Sequence, residues 1–249
     1  MTALVKNGTG ALLVLGIAGA AVWGLAQPRG PVVIASYHTS LDGRSGSQRH
    51  NADLAIRQLN GAIIPPHAVF SFNDRVGSYS RDAGYRRAPV SYNGQLIDAW
   101  GGGVCQASTT LYNAALLAGF KVVERSHHHF APSYVPVGLD AAVAYSSIDL
   151  KLQNPYDFPV QIRAKLDDGR LSVALYGERS LPAPPRVLQD LRNRKDVTAY
   201  RVGGGGASSR LRNSGKAGYD VVVYRVMAGR RELISSDHYP AMARVVESE

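Results

Sequence analysis

At 249 residues with 45% hydrophobic side chains, the chain can form one sizeable domain with appendages and an ordinary apolar core. Its single cysteine excludes an internal disulfide and argues against a cysteine-rich zinc module. A formal charge of +9 favours anionic surroundings: phospholipid, an acidic wall polymer or nucleic acid.

The predicted elements begin with an uncharged apolar run at residues 11–26, preceded by Lys6. Its length lies between a signal-peptide core and a membrane span. Gly24 and Ala26 give a small-x-small cleavage pattern ahead of Gln27 and Pro28. Residues 1–27 are therefore expected to be an anchor or a signal peptide, with Lys6 left inside and the bulk exported to the envelope. Export removes nucleic acid from the expected partners.

Residues 31–36 read as a strand rich in β-branched side chains, and a polar loop leads to a helix over 49–60. Ala52, Ala55, Ile56 and Leu59 recur there at helical spacing, and Asn60-Gly61 marks the stop. Alternation at 69–73 suggests a half-buried strand. Residues 75–87 read as a polar loop. Two strand patterns, 88–92 and 95–98, flank Asn93-Gly94, a strong hairpin signal. The hairpin delivers the chain to Gly101-Gly102-Gly103-Val104-Cys105, after which Ala107, Leu111, Ala114, Ala115 and Ala118 fall on one helix face and Gly119 ends the helix. Strand patterns follow at 121–125, 140–145, 147–152, 160–164 and 171–176. This order predicts an α+β fold, a mainly antiparallel sheet with the cysteine-bearing helix packed on it, over residues 28–178.

From 179 the composition changes. A proline-rich linker and the glycine-serine run at 203–209 separate short strands, notably 219–226 and 231–234, giving a small β-rich extension over 179–249. It holds 13 basic against 7 acidic residues, a surplus of six. The extension is read either as a solvated basic surface or as a grip on an anionic wall polymer.

The chemistry centres on Cys105. A thiol at a helix start feels free N–H groups and the positive dipole end, which favour the thiolate. A base is available in His127, His128 or His129, and an orienting acid in Asp140, with Asp149 as second choice. The Cys105 N–H, with Gln106, is a candidate oxyanion hole in a cleft shaped by Gly101, Gly102 and Gly103. The alternative is a small buried cysteine that merely packs a tight junction. No H-x-x-x-H or H-E-x-x-H spacing is present, so neither a metal nor a cofactor is expected.

Phe70-Ser71-Phe72-Asn73, Gly77, Gly84-Tyr85 and the block GGGVCQASTTLYNAA at 101–115 resemble the VanW family. So do Glu124-Arg125, His128, Tyr134-Val135-Pro136, Gly138, Asp140-Ala141, and Asp149 ahead of Asn154. The resemblance spans residues 36–177, and residues 215–246 faintly resemble a G5-like extension. That family takes its name from an accessory protein of vancomycin-resistance clusters. The resemblance implies an envelope and peptidoglycan setting and no particular reaction. It also implies that His128, rather than its neighbours, is the matching histidine. The Cys-His-Asp order is similar to transglutaminase-like and papain-like thiol enzymes, an analogy at the level of fold. Two functions stay open: a thiol hydrolase or acyl transferase acting on peptidoglycan-type amide bonds, with Cys105, His128 and Asp140 as catalytic residues, and a non-catalytic wall-binding accessory.

Overall fold

The computed structural model describes residues 30–248 apart from 93–94, 182 and 204–208. The expected anchor or signal peptide, the Asn93-Gly94 turn, Pro182 of the linker and most of the glycine-serine run lie outside these residues. No helix among the described residues is long and apolar enough to cross a membrane.

The first sheet is antiparallel in the order β1-β9-β8-β2, formed by β1 (Val32–Ser40), β9 (Arg170–Gly177), β8 (Val160–Asp167) and β2 (Ile63–Ile64). Asp168 and Gly169, both at positive φ, close its β8–β9 hairpin. A second sheet joins β3 (Val69–Ser71), β7 (Lys151–Gln153) and β6 (Lys121–Glu124), and β4 (Arg87–Tyr92) pairs with β5 (Gln95–Trp100). The C-terminal part contributes two three-stranded sheets. One runs β10 (Arg186–Lys195), β13 (Gly218–Met227), β14 (Arg230–Tyr239). The other runs β11 (Ala199–Val202), β15 (Met242–Ser248), β12 (Ser209–Lys216).

Helix α1 (Gly46–Leu59) starts earlier than its hydrophobic periodicity suggests, because Ser45 and Gln48 form a reciprocal capping box. Its buried face is Ala52, Ala55, Ile56 and Leu59 as expected, with the polar Asn51 added. The expected strand at 69–73 ends at Ser71, whose hydroxyl caps the short helix α2 (Phe72–Val76). Helix α3 (Val104–Leu117) carries Cys105.

The predicted α+β fold, with one mainly antiparallel sheet carrying the cysteine helix in transglutaminase- or papain-like order, is corrected. Strand accounts for 47% and helix for 16%, and the strands divide among separate small sheets. The physical reason lies in α3. The sequence suggested one apolar face, yet every residue from Gln106 to Leu116 is buried. A helix enclosed on all sides cannot simply lie on a sheet. Its polar residues tolerate burial because neighbouring chain satisfies them. Ser108 Oγ donates to Ala141 O at 2.7 Å, Thr109 Oγ1 accepts from Ala141 N at 3.0 Å, and Asn113 Nδ2 donates to Leu139 O at 2.7 Å. Thr110 Oγ1 pairs with Thr39 Oγ1 of β1 at 2.8 Å.

These bonds also explain why the strand expected at 140–145 does not form. The backbone there serves α3 and makes only isolated bridges, Ser126 with Ala142 and Ala144 with Ile148. The core is shared along the whole described chain: Val221, Val223 and Tyr239 of the C-terminal strands join the cluster that holds Leu111, Ile162 and Leu175.

Entry into α3 depends on close backbone contacts. A Cβ on Gly103, which has φ 112°, would meet Gln48 O of α1 at 2.3 Å. Asn51 completes the junction, donating to Arg86 O at 2.8 Å and Gly102 O at 2.9 Å while accepting from Arg86 N. Gly103→Ala combines a clash with backbone that cannot yield and a disfavoured φ. It is expected to lower unfolding stability by at least about 2 kcal/mol, measured by urea denaturation.

Candidate functional site

Cys105 is the second residue of α3 and half-buried. Gly103, at left-handed φ, begins the helix without a side-chain cap. The Val104 N–H donates to Gly101 O at 3.0 Å and the Gln106 N–H to Gly103 O at 3.1 Å. The Cys105 N–H between them has no acceptor among the described residues. The thiol itself donates to Val143 O at 3.4 Å and can accept from Val143 N at 3.5 Å. His128 is close enough to act on the ionisation of the same sulfur, whose own hydrogen bonds are those to Val143.

His128 is aimed by Asp140. The His128 backbone N–H donates to Asp140 Oδ2 at 2.7 Å, and Nδ1 reaches the same oxygen at 2.6 Å. An ionised carboxylate only accepts, so Nδ1 carries the proton that bonds Asp140 and Nε2 is left free of it. Cys105, His128 and Asp140 thus form one connected chain of groups.

Charge follows that geometry. Burial pushes the Cys105 thiol up, but the hydrogen bond and charge of His128 and the Val143 N–H outweigh it, and the net shift is downward. Burial works against the His128 cation, yet Asp140 and Cys105 together raise it to about 10. Burial opposes ionisation of Asp140 as well, while His128 and Arg125 bring it down to about 2. Between those limits an imidazolium sits over an ionised carboxylate, and its charge favours the thiolate form of Cys105.

Asp140 is fully buried and needs more than His128. Arg125 supplies the second cation, with Nη2 at 3.2 Å from Oδ1 and Nε donating to Asp140 O at 2.7 Å. Tyr239, from β14, donates its hydroxyl to Oδ1. Asp237, also from β14, accepts from Arg125 Nη1 on both oxygens, at 2.7 and 2.6 Å, and from the Ser235 hydroxyl at 3.1 Å. The C-terminal strands therefore close the network behind the acid. No local pattern announces this, because Tyr239 and Asp237 stand 99 and 112 residues from their partners.

The remaining expected residues take other places. Gln106 is buried and points away from the thiol: its Nε2 donates to Ser40 O at 2.6 Å and its Oε1 accepts from Arg44 Nε at 3.0 Å. Gly101 and Gly102 are buried in close packing, where added Cβ atoms would meet Tyr79 Cβ at 2.7 Å and Pro89 O at 2.8 Å. Asp149 caps α2, accepting from Asn73 N at 2.9 Å and from the Ser71 hydroxyl at 2.6 Å. His127 packs edge-on against Tyr239 and His129 against Phe130. Among the described residues no cluster of His, Cys, Asp and Glu could hold a metal ion. Two open surface depressions lie elsewhere, one beside Tyr37 and Tyr176 and one beside Asp74 and Lys151, and neither contains a member of the Cys-His-Asp chain.

A mainly β chain built around one enclosed helix, with the cysteine at the mouth of that helix, is the class these features define. A family model described as VanW like protein matches residues 47–176, and the chain belongs to the VanW family. It is 36% identical over 166 residues to the uncharacterized protein YoaR of Bacillus subtilis, covering 64% of this chain and 55% of that protein. It is 31% identical over 148 residues to vancomycin B-type resistance protein VanW of Enterococcus faecalis, covering 57% and 52% respectively. The chain thus spans about half the length of the curated relatives it matches. The crystal structure of HP0197-G5 aligns with 27% of this chain and 100% of that chain at 17% identity, with a TM-score of 0.15. The family match includes Cys105, His128 and Asp140 and stops short of Asp237 and Tyr239.

Two outcomes follow from the charges. A thiol pKa held down by His128 makes thiolate available on the acid side of an ordinary cysteine. Iodoacetamide should therefore alkylate native Cys105 at pH 6 at least about 10-fold faster than the urea-unfolded chain, whose thiol titrates near 8.5. The comparison is read by mass spectrometry. Asp237→Ala strips Arg125 of its bidentate partner and should cost about 3 kcal/mol of unfolding stability, read from urea midpoints.

Proposed function

We propose that the protein is a thiol acyl-transfer enzyme of the cell envelope, a hydrolase or transferase that cleaves amide bonds of the peptidoglycan type. The observation that carries this reading is a His128 imidazole whose Nδ1 is 2.6 Å from the buried Asp140 carboxylate and whose charge holds the Cys105 thiol below its ordinary pKa. A merely structural cysteine has no use for an oriented, charged imidazole.

In the acylation step the Cys105 thiolate attacks the amide carbonyl carbon, a C–S bond forms, and the carbonyl electrons move to oxygen. The Cys105 N–H at the positive end of α3 is the donor available to that oxyanion. The oxyanion then collapses, the C–N bond breaks, and the His128 imidazolium gives its proton to the departing amine. In the deacylation step neutral His128 takes a proton from water or from an acceptor amine, whose oxygen or nitrogen attacks the thioester carbonyl. Sulfur leaves as thiolate, and the protonated imidazole returns to its starting state. Asp140 keeps the imidazole in the required tautomer throughout and stabilises its charge.

The substrate class draws support from the VanW relationship, since one relative is named a vancomycin B-type resistance protein. The extracytoplasmic address draws support from the apolar run at residues 11–26 behind Lys6. The alternative, a wall binder without chemistry, has the basic C-terminal part in its favour. Several arginines there are already paired with acids, such as Arg192 with Asp190 and Arg212 with Glu247, which weakens a polyanion grip.

The test incubates the full chain with a muramidase digest of peptidoglycan and follows the products by mass spectrometry. Cleavage or acyl exchange is expected, with a loss of about 10³-fold or more for Cys105→Ala and for His128→Ala. Turnover that survives Cys105→Ala, or a wild-type chain that leaves every stem-peptide amide intact, would overturn the proposal.

A further inference from the structure

Two half-buried cations against the loop that touches Cys105 have no role in the chemistry above. Arg44 lies in the loop between β1 and α1. Its guanidinium sits 4.8 Å over the ring of Tyr134, and its Nε is pinned by the buried Gln106. Lys216, at the end of β12, donates to Ala131 O at 3.0 Å. Both cations thus converge on one short stretch of loop, residues 131–134. That stretch touches the nucleophile's own residue, since the Tyr134 hydroxyl donates to Cys105 O at 3.4 Å.

The unusual feature is what these cations lack. Arg125 and Arg225, two other cations drawn inward, each hold a carboxylate: Arg125 pairs with Asp140 and Asp237, and Arg225 with Glu232. Arg44 and Lys216 have no carboxylate partner among the described residues. Burial, and then the charge of Arg44, lower the Lys216 pKa, while the charge of Asp140 acts the other way. Holding two like charges together beside a nucleophile is unfavourable unless an anion joins them. A fixed guanidinium fork with an adjacent ammonium suits a carboxylate, one oxygen for each cation.

We propose that Arg44 and Lys216 form a carboxylate-binding subsite that recognises a free carboxyl group on the substrate, next to the acyl group presented to Cys105. The meaning of the subsite rests on the thiol acyl-transfer reading. Its existence does not, because the cations would bind a carboxylate without any reaction. The subsite would direct the enzyme to amide bonds close to a peptide C-terminus. Both residues lie outside the span 47–176 of the family match, so this specificity would belong to the chain's own flanking segments.

The test uses the full chain carrying Cys105→Ala, so that nothing turns over. N-acetyl-alanyl-alanine, in its L and D forms, is titrated as the free acid and as the C-terminal amide, and binding is followed by NMR chemical shifts. The free acid of at least one form is expected to bind about 10-fold or more tighter than its amide. Adding Arg44→Gln and Lys216→Gln together should erase that preference, whereas Arg44→Lys with Lys216→Arg should keep part of it. An unchanged melting temperature guards against a folding artefact. Equal binding of acid and amide, a preference that survives the double glutamine variant, or no binding of the acid at millimolar concentration would overturn the proposal. Competition by inorganic phosphate with the same dependence on Arg44 and Lys216, at equal affinity, would also overturn the carboxylate assignment. If the acid preference holds while Cys105 proves unreactive in the wild-type chain, the subsite stands and the thiol mechanism falls.

Discussion

The constraint on which this structure turns is one buried carboxylate. Asp140 has no exposure to solvent, so an ionised side chain there must find all its partners within the protein. Each oxygen is answered. Oδ2 accepts from the His128 backbone and from its ring, and Oδ1 accepts from Arg125 and Tyr239. The arrangement holds His128 by two atoms of the same residue, its backbone N–H and its ring, so the ring cannot turn without losing its Nδ1 contact. It also draws the C-terminal strands inward, because Arg125 brings a second buried carboxylate, Asp237, with it. Neither Asp140 nor Arg125 is tolerable alone at this depth, and removal of one partner leaves the other uncompensated.

The pH behaviour follows from the same groups. Asp140 has a lowered pKa, so its contribution to stability is complete above the ordinary carboxylate range and fades as pH falls towards about 2. His128 has a raised pKa, so its contribution is complete below about 6.5 and fades as pH rises through about 10. Across the interval between, the network favours an imidazolium beside the thiol, and that charge offsets the burial cost of a thiolate. Folding and reactivity are thus supported by the same few contacts.

The order of glycine block, cysteine, histidine and aspartate singles out Cys105 and favours Asp140 over Asp149. It leaves His127, His128 and His129 open until the family resemblance points to His128, which is the histidine bonded to Asp140. A helix start is readable from glycines followed by an alanine-rich pattern, and GGGVCQ is such a place. What the sequence could not convey was enclosure. Ser108, Thr109, Thr110 and Asn113 look like an outward polar face, and only the loop at 139–143 and β1 turn that face into buried contacts. The same loop reads as a strand in sequence, although its backbone is committed to α3 and to the cysteine. Gln106 looked like a cleft residue by adjacency alone, whereas a helix turns its second and third residues to different sides. Asn51 was the one missed residue with a local signal, a polar side chain beside the apolar stripe of α1. Arg125, Asp237 and Tyr239 carried no such signal, since their pairing depends on chain that returns from the far C-terminal strands.

The central claim is that Cys105 and His128 form a charged pair oriented by Asp140. The most direct measurement is an NMR titration of the His128 ring nitrogens in the native chain, compared with Cys105→Ala. The account predicts a doubly protonated ring throughout neutral pH, titrating near 10, and a fall in that pKa when the thiolate is removed. A His128 ring that is neutral at pH 7.5 and indifferent to Cys105→Ala would contradict it.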